Sequence, residues 1–379
     1  MKYVIVLIIV IICLIIGIYK IKHPFWSTQP VFHYHNLIYW MSPPGIIQHG
    51  IWEKTKFYNE KIEFHDYNSL NYSKKLQFVN FIRNNYMPHK HEYYNPTENG
   101  ILNYFKYHNN KSYMSFKIEN NKILGSGTTR PLMCYFKDNK INIYYVDFLC
   151  IDKNHRKRGI ASEMIYTHPA KQHRYSHITT IFLFKREGVR NLIVPLTLYY
   201  SYGFDIESLN NKLIFGKHAL NNILINKNNI YIQKNVIITK NNIYLLKVVW
   251  DRLIKNNKFD CLIIPNFFHV LNLIIHEQIY AYITIINKKP YNLFFFRNTY
   301  TTYYGRPSLE CICSYKETTN NVFIKSFFNS LSKISKIKKI CKIFIEDISD
   351  NNILINNILK VCNPQFKITT SYYFYNYSH

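Results

Sequence analysis

The longest apolar run opens the chain. Residues Tyr3 to Tyr19, "YVIVLIIVIICLIIGIY", carry no charge and are bracketed by Lys2, Lys20 and Lys22. A helix over this run has no polar face and lies at the short end of what spans a hydrocarbon core. It has neither the shorter apolar region nor the small-residue cleavage site of a signal peptide. The pattern therefore predicts a single-pass membrane anchor over residues 1–22, with the greater positive charge on its C-terminal flank leaving the body in the cytosol. Past it the period changes. "YSKKLQFVNFIRNN", residues 72–85, spaces Leu76, Val79, Phe81 and Ile82 as a helix does. Turn signals at 119–122 and 137–140 separate three β-prone runs, "SYMSFKI", "ILGSGTTRPLMCYF" and "INIYYVDFLCI". Pro131 and the glycines predict an interrupted or bulged middle run. A helix from about Arg158 to Thr167, a strand in "HITTIFLF" and a helix in "PLTLYYSYGF" complete the first half.

A second half begins near residue 215. It offers "KFDCLIIP", "YAYITII", "YNLFFFRN" and "LECICSY" as strands, "NVFIKSFFNSLSKISKI" as an amphipathic helix, and "ICKIFIEDI" and "SYYFYNY" as strands. The Asn-rich stretch "LNNILINKNNIYIQKNVIITKNN" reads as solvated turns between short strands. No near-identical repeat is present, yet the order of elements echoes the first half. Mixed strands and helices in this order predict an α/β (α+β) architecture.

Composition alters this picture little. A chain of 379 residues, 47% hydrophobic and 17% aromatic, can bury more than one core. The net charge of +26 invites a nucleic-acid partner. Lys, Asn, Ile and Tyr are all overused, however, as in an AT-rich genome such as that of a large DNA virus. Such a bias spreads charge over the surface, and neither a finger nor a basic-helix motif accompanies it. The reading is of no specific nucleic-acid partner and of a monomer. Eight cysteines are scattered, and the one close pair, Cys311 and Cys313, lacks a second pair at zinc spacing. "IIHEQIY" around His276 lacks the second histidine of a zinc helix. No metal is expected.

One stretch carries chemistry. "YYVDFLCIDKNHRKRGIASEMI", Tyr144 to Ile165, runs from a strand through a basic turn with one glycine into a helix. Backbone amides at a helix start are unpaired and favour an anion. Gly159 would let a phosphate approach the backbone, and Arg156, Lys157 and Arg158 add charge at the rim. As residues alone, this is equally a solvated basic helix cap with a structural glycine.

The stretch resembles motif A of the GNAT acyltransferase superfamily, whose R/Q-x-x-G-x-G/A cradles the pyrophosphate of coenzyme A; Arg156, Gly159 and Ala161 stand at the patterned positions. "LTLYYSYGFDI" resembles the superfamily's later "lY…GF" helix-to-strand signature. Two segments narrow the likeness: "FLCIDKNHRKRGIAS" is similar to the "FLCVHKKLRSKRLAP" of N-myristoyltransferases, and "HPFWSTQPV" to their "HKFWDTQPV". "SYYFYNY" resembles their late "QYYLYNW". The resemblance implies two fused GNAT-like halves, an acyl-CoA-binding half over 23–214 and a peptide-side half over 215–379, behind the anchor. It implies a glycylpeptide N-tetradecanoyltransferase-like activity, with myristoyl-CoA or another acyl-CoA as co-substrate and an N-terminal glycine of a protein or peptide as acceptor. Phe25 and Trp26 would lie against the acyl-CoA, and the turn Arg156, Lys157, Arg158, Gly159, Ile160, Ala161 would bind its phosphates. Backbone amides of Phe148 and Leu149 would form an oxyanion hole, and Tyr86 would face the peptide. Tethering would place the enzyme beside membrane substrates.

Departures from that family are specific. His89, Lys90 and His91 replace its acidic run, predicting a changed peptide preference. Its Thr-Ala-Gly segment has only Thr179 and Thr180 as loose counterparts, and Pro24 stands where the family has lysine. The family's base is its own C-terminal carboxylate, on a segment extending past the point where this sequence ends at His379. An α-amine, with pKa of about 8, needs a base for efficient attack, so the base is unassigned. Two other readings stay open: a GNAT-fold N-acetyltransferase acting on another amine, and a catalytically silent, membrane-tethered homologue that binds CoA.

Overall fold

The computed structural model describes residues 2–50, 52–86, 92–137, 139–177, 180–188, 192–209 and 233–379. Its helices are α1 (Lys2–Lys22), α2 (Leu37–Met41), α3 (Tyr72–Asn85), α4 (Glu98–Leu102), α5 (Ile160–Ser176), α6 (Ile243–Lys255), α7 (Phe267–Ile275), α8 (Asn320–Lys338) and α9 (Asn351–Ile358). The first-half strands are β1 (Gly45–Ile46), β2 (Glu63–Asp66), β3 (Glu92–Tyr94), β4 (Tyr113–Glu119), β5 (Lys122–Phe136), β6 (Asn139–Val146), β7 (Cys150–Ile151), β8 (Phe182–Glu187) and β9 (Thr197–Asp205). The others are β10 (Gln233–Ile237), β11 (Cys261–Ile264), β12 (Ile279–Ile286), β13 (Lys289–Tyr303), β14 (Arg306–Tyr315), β15 (Lys342–Glu346), β16 (Phe366–Tyr375) and β17 (Tyr377–Ser378).

Local signals account for the elements around the site. Asn71 caps α3 by accepting from the Lys74 amide, and the helix then buries Phe78, Val79, Phe81 and Ile82. These rings meet Phe105, Phe116 and Phe148 in one aromatic cluster. Among the described residues, fifteen strands join one sheet in the order β10-β12-β13-β14-β15-β9-β16-β8-β6-β5-β4-β2; β7 and β11 add to β5, and β3 to β13. Most neighbours are antiparallel, but β14–β15 and β6–β8 are parallel. Phe323, Phe327 and Leu331 of α8 pack on Phe294 and Phe296 over one part of the sheet. Leu246, Val249 and Trp250 of α6, with Leu273 of α7, cover another.

The sequence reading needs four corrections. Residues 2–22 are helical, but among the described residues no helix is long and apolar enough to cross a membrane, so neither the anchor over residues 3–19 nor the membrane localisation built on it holds. At about 1.5 Å per residue that run reaches only about 25 Å, against a hydrocarbon core of about 30 Å. Its last turn is also taken by the body: Tyr19 is buried, with its ring centroid 6.0 Å from that of His33 and 6.5 Å from that of His35. Next, "PLTLYYSYGF" is not a helix but β9, held between β15 and β16. Tyrosines are strand formers, and Tyr199 stacks on Tyr372 across the β16 pair at 5.7 Å.

Third, Pro131 does not interrupt β5, which runs from Lys122 to Phe136; the expected irregularity lies instead at Leu124, beside Gly125, where the register with β4 shifts. Along one edge β5 pairs with β4 up to Thr129 and with β11 from Met133, so Pro131 falls in the gap where its missing donor costs nothing. Finally, α6, α7 and α9 were not anticipated. Of the Asn-rich stretch, residues 220–232 lie outside the described residues, while Gln233–Ile237 forms β10 on β12.

Candidate active site

The basic turn and the start of α5 are built by β7 and the residues after it. Asp152 accepts from the Asn154 amide at 2.9 Å and from His155 Nδ1 at 2.7 Å, which turns the chain sharply. Lys157 and Gly159 both take left-handed backbone, with φ of 64° and 80°. Gly159 is the N-cap of α5 and supplies no side-chain hydrogen bond, so the first amides of the helix have no cap within it. A Cβ added at Gly159 would meet nothing within 4 Å, so the glycine is required by its backbone angle rather than by crowding. Arg156, Lys157 and Arg158 are exposed. Arg156 is also a brace: its Nη2 donates to the Asn85 carbonyl at the end of α3 at 2.7 Å.

A cleft of ≈ 700 Å³ opens at this helix start, lined by Asn85, Tyr86, Leu149, Cys150, Ile151, His155, Arg156, Lys157, Gly159, Ile160, Ala161 and Ser162. Seven anticipated residues thus meet at one cavity: Tyr86, Leu149, Arg156, Lys157, Gly159, Ile160 and Ala161. Phe148 lies behind it, buried, with its ring 5.5 Å from that of Tyr86. Phe25 and Trp26 are elsewhere: Phe25 packs edge-on against Phe57 at 4.9 Å, and Trp26 stacks on Phe184 at 5.7 Å. His89, Lys90, His91 and Thr179 lie outside the described residues. Thr180 is buried, and its carbonyl accepts from Asn376 Nδ2 at 3.1 Å.

The Phe148–Leu149 turn arises where β5 changes partner. Thr129 pairs with Val146 on β6, and Ser126 with Cys150 on β7, leaving residues 147–149 out of the ladder opposite Gly127 and Thr128. The Phe148 amide donates to Thr128 Oγ1 at 3.1 Å, and the Leu149 amide to the Asp147 carbonyl at 2.7 Å. Both amides therefore have acceptors inside the chain.

The same point opens the sheet. β6 and β8 run parallel but share only Tyr144–Phe182 and Tyr145–Leu183 before they part. Asp147 and Lys185 follow two residues on, one on each side of the divergence. Around them gathers a set of charges drawn from strands far apart in sequence. Arg130 Nε donates to Asp147 Oδ2 at 2.8 Å, with 13% and 14% of the two side chains accessible. Lys185 pairs with Glu346 and lies 3.8 Å from Glu310, which also pairs with Arg297. Arg297 keeps 37% and Lys185 26% of the side chain accessible, so the cluster is partly open to solvent. Burial raises the Asp147 carboxyl above the usual range, against the pull of Arg130. Burial likewise lifts Glu346 to about 7, whereas at Glu310 the cations Arg297 and Lys185 outweigh burial and hold it low. The sequence reading found none of these groups, since their spacing along the chain forms no pattern.

Among the described residues, no group of three or more His, Cys, Asp and Glu side chains could hold a metal ion. Residues 77–183 match the family model for the "Acetyltransferase (GNAT) family". No curated protein matches the sequence significantly. Solved structures do resemble the fold. N-myristoyltransferase of Saccharomyces cerevisiae with bound myristoyl-CoA superposes with a TM-score of 0.69 at 14% identity, over 94% of this chain and 87% of that one. A structure of the same yeast enzyme with bound myristoyl-CoA and inhibitors gives a TM-score of 0.70 at 14% identity, over 96% and 93%. At such identity the likeness is one of fold. Residues 77–183 thus match the GNAT acetyltransferase family, and the chain as a whole shares the fold of N-myristoyltransferase.

Proposed function

We propose that this protein transfers a long-chain acyl group from acyl-CoA to the α-amine of an N-terminal glycine. The observation that carries the reading is the cleft at the start of α5, which opens beside the Phe148–Leu149 turn in a fold shared with an enzyme crystallised with myristoyl-CoA. The uncapped amides of α5, with Arg156, Lys157 and Arg158 at the rim, suit the CoA phosphates. The Leu149 and Phe148 amides would receive the thioester oxygen as charge develops on it. For that, the Thr128 hydroxyl must turn away and the three-residue turn at Leu149 must open. Phe25 and Trp26, apart from the phosphate end, would flank the acyl chain. Residues 23–214 would be the acyl-CoA half and 215–379 the peptide side, with Tyr86 between them.

Incubation of the chain with labelled myristoyl-CoA and Gly-initiated peptides tests this directly. Amide-linked label on the peptide is the expected result; the absence of both transfer and acyl-CoA binding would sink the idea. One observation favours a second reading, acyl-CoA binding without turnover: both candidate oxyanion amides are already paired within the chain. Tight acyl-CoA binding with no transfer to any amine is its signature.

A further inference from the structure

Acyl transfer to an amine leaves one step without a group to perform it: the ammonium must lose a proton. Asp147 adjoins the Phe148–Leu149 turn and is built into it. Its amide donates to the Thr128 carbonyl at 3.1 Å, and its own carbonyl accepts from Leu149 at 2.7 Å. Its side chain is 14% accessible, and Oδ2 is taken by Arg130. The other carboxylate oxygen accepts no hydrogen bond among the described residues, and it is not a fully buried atom. The carboxylate thus stands, half-committed and partly accessible, where β6 parts from β8.

Its neighbours are accounted for on every side: Arg130 on β5, Arg297 on β13, Tyr86 after α3, Tyr104 before β4, and Tyr145 on β6. Burial pushes all three tyrosine hydroxyls up, away from proton acceptance near neutrality. Glu310 and Glu346 are held by Arg297 and Lys185. His155, the imidazole on the cleft, is bonded to Asp152 at the phosphate end.

We propose that Asp147, through its open oxygen, binds the acceptor ammonium and takes its proton during acyl transfer, an inference that rests on the acyl-transfer reading above. The ammonium gives one proton to the carboxylate, and the freed nitrogen lone pair forms the C–N bond to the thioester carbon while the carbonyl π pair moves onto oxygen. When that pair returns, the C–S bond breaks, and the thiolate takes the second proton from nitrogen as the amide forms. Asp147 then releases its proton to solvent, so one proton leaves per amide made. Burial brings the carboxyl closer to the amine in proton affinity, which makes the first transfer less uphill. Arg130 keeps the same carboxylate charged and oriented.

The test is kcat and its pH profile for the full chain with myristoyl-CoA and a Gly-initiated peptide, comparing wild type, Asp147→Asn and the pair Arg130→Gln/Asp147→Asn. Asp147→Asn should lose about 10²- to 10⁴-fold in kcat while binding acyl-CoA as wild type does. Its residual rate should climb with pH through the ionisation of the amine itself, near pH 8, where wild type has already levelled. The paired variant, which leaves no unpartnered Arg130, should behave the same and decides the matter if the single variant does not fold. A wild-type rate and profile in either variant overturns the proposal. A wild type that binds acyl-CoA but acylates nothing overturns the acyl-transfer reading and this inference together; an active wild type with an equally active Asp147→Asn overturns this inference alone.

Discussion

Single residues decide whether this site can exist. Gly159 holds φ of 80° at the mouth of α5 with open space around its missing Cβ. Gly159→Ala should therefore cost about 1–2 kcal/mol through backbone conformation alone, seen as a lower melting temperature, and should weaken acyl-CoA binding by disturbing the first helical amides. An unshifted melt would mean that the turn relaxes freely. Buried imidazoles set the acid limit. Thr129 donates its one proton to Gln172 Oε1, so it accepts from His168 Nε2–H, while Ser115 donates to His168 Nδ1. His168 is thus neutral and fully bonded, and burial lowers it to about 3. His108 and His269 stack at 3.9 Å, lowered by burial to about 4 and about 2. In the unfolded chain all three would titrate near 6.5. Their folded values are depressed, so their stabilisation is complete above about pH 6.5 and falls with pH below it. Each loses about 1.4 kcal/mol per pH unit down to its own folded value. Urea midpoints should be flat from pH 8 to 7 and then drop steeply, with unfolding before pH 4. Equal midpoints at pH 7 and 5 would contradict this.

At the scale of elements, legibility followed how self-contained each signal was. The α3 helix could be read to its ends because Asn71 caps it and its apolar positions recur within one turn. The basic turn was legible for the same reason, as a strand, charge cluster, glycine and helix lie within one short stretch. β9 was misread because "LTLYYSYGF" is apolar at nearly every position, even though Leu198 and Tyr200 stay exposed; periodicity cannot separate such a run from a helix. The glycine within it carries the information that periodicity lacked. A Cβ at Gly203 would come within 2.9 Å of Phe344 and 3.0 Å of Phe366, whose strands flank β9 on either side. Gly203→Val should therefore overpack that seam and cost about 1–3 kcal/mol, read as a shifted denaturant midpoint with unchanged slope. A neutral result would show that the two rings can swing aside. The charge cluster at the parting of β6 and β8 left no trace in sequence, because Arg130, Asp147, Lys185, Arg297, Glu310 and Glu346 come from six separate segments and only the sheet order brings them together.

Over the whole molecule that sheet order has a further consequence. β16, from the end of the chain, lies between β8 and β9 of the first half, pairing with both through residues such as Thr370, which faces Glu187 on one side and Tyr199 on the other. β9 in turn pairs with β15, and β11 pairs with β5. Each half therefore completes the other's sheet, and among the described residues the carboxylates paired with Lys185 are Glu310 and Glu346 of the second half. A first half expressed alone would expose the facing edges of β8 and β9 as unpaired strands and leave a half-buried lysine without counter-charge. Exposed edges of this kind template aggregation, and an unpaired buried charge costs several kcal/mol. Residues 23–214 on their own should accordingly be insoluble or lack a cooperative melt, whereas co-expression with residues 215–379 should restore a soluble complex on size exclusion. The intact chain should unfold in one transition, the same by fluorescence and by circular dichroism, since no boundary between the halves is free of shared strands. A cooperatively melting, monomeric 23–214 fragment would show that the first half closes its own sheet, and that β16 is an addition to a core already stable without it.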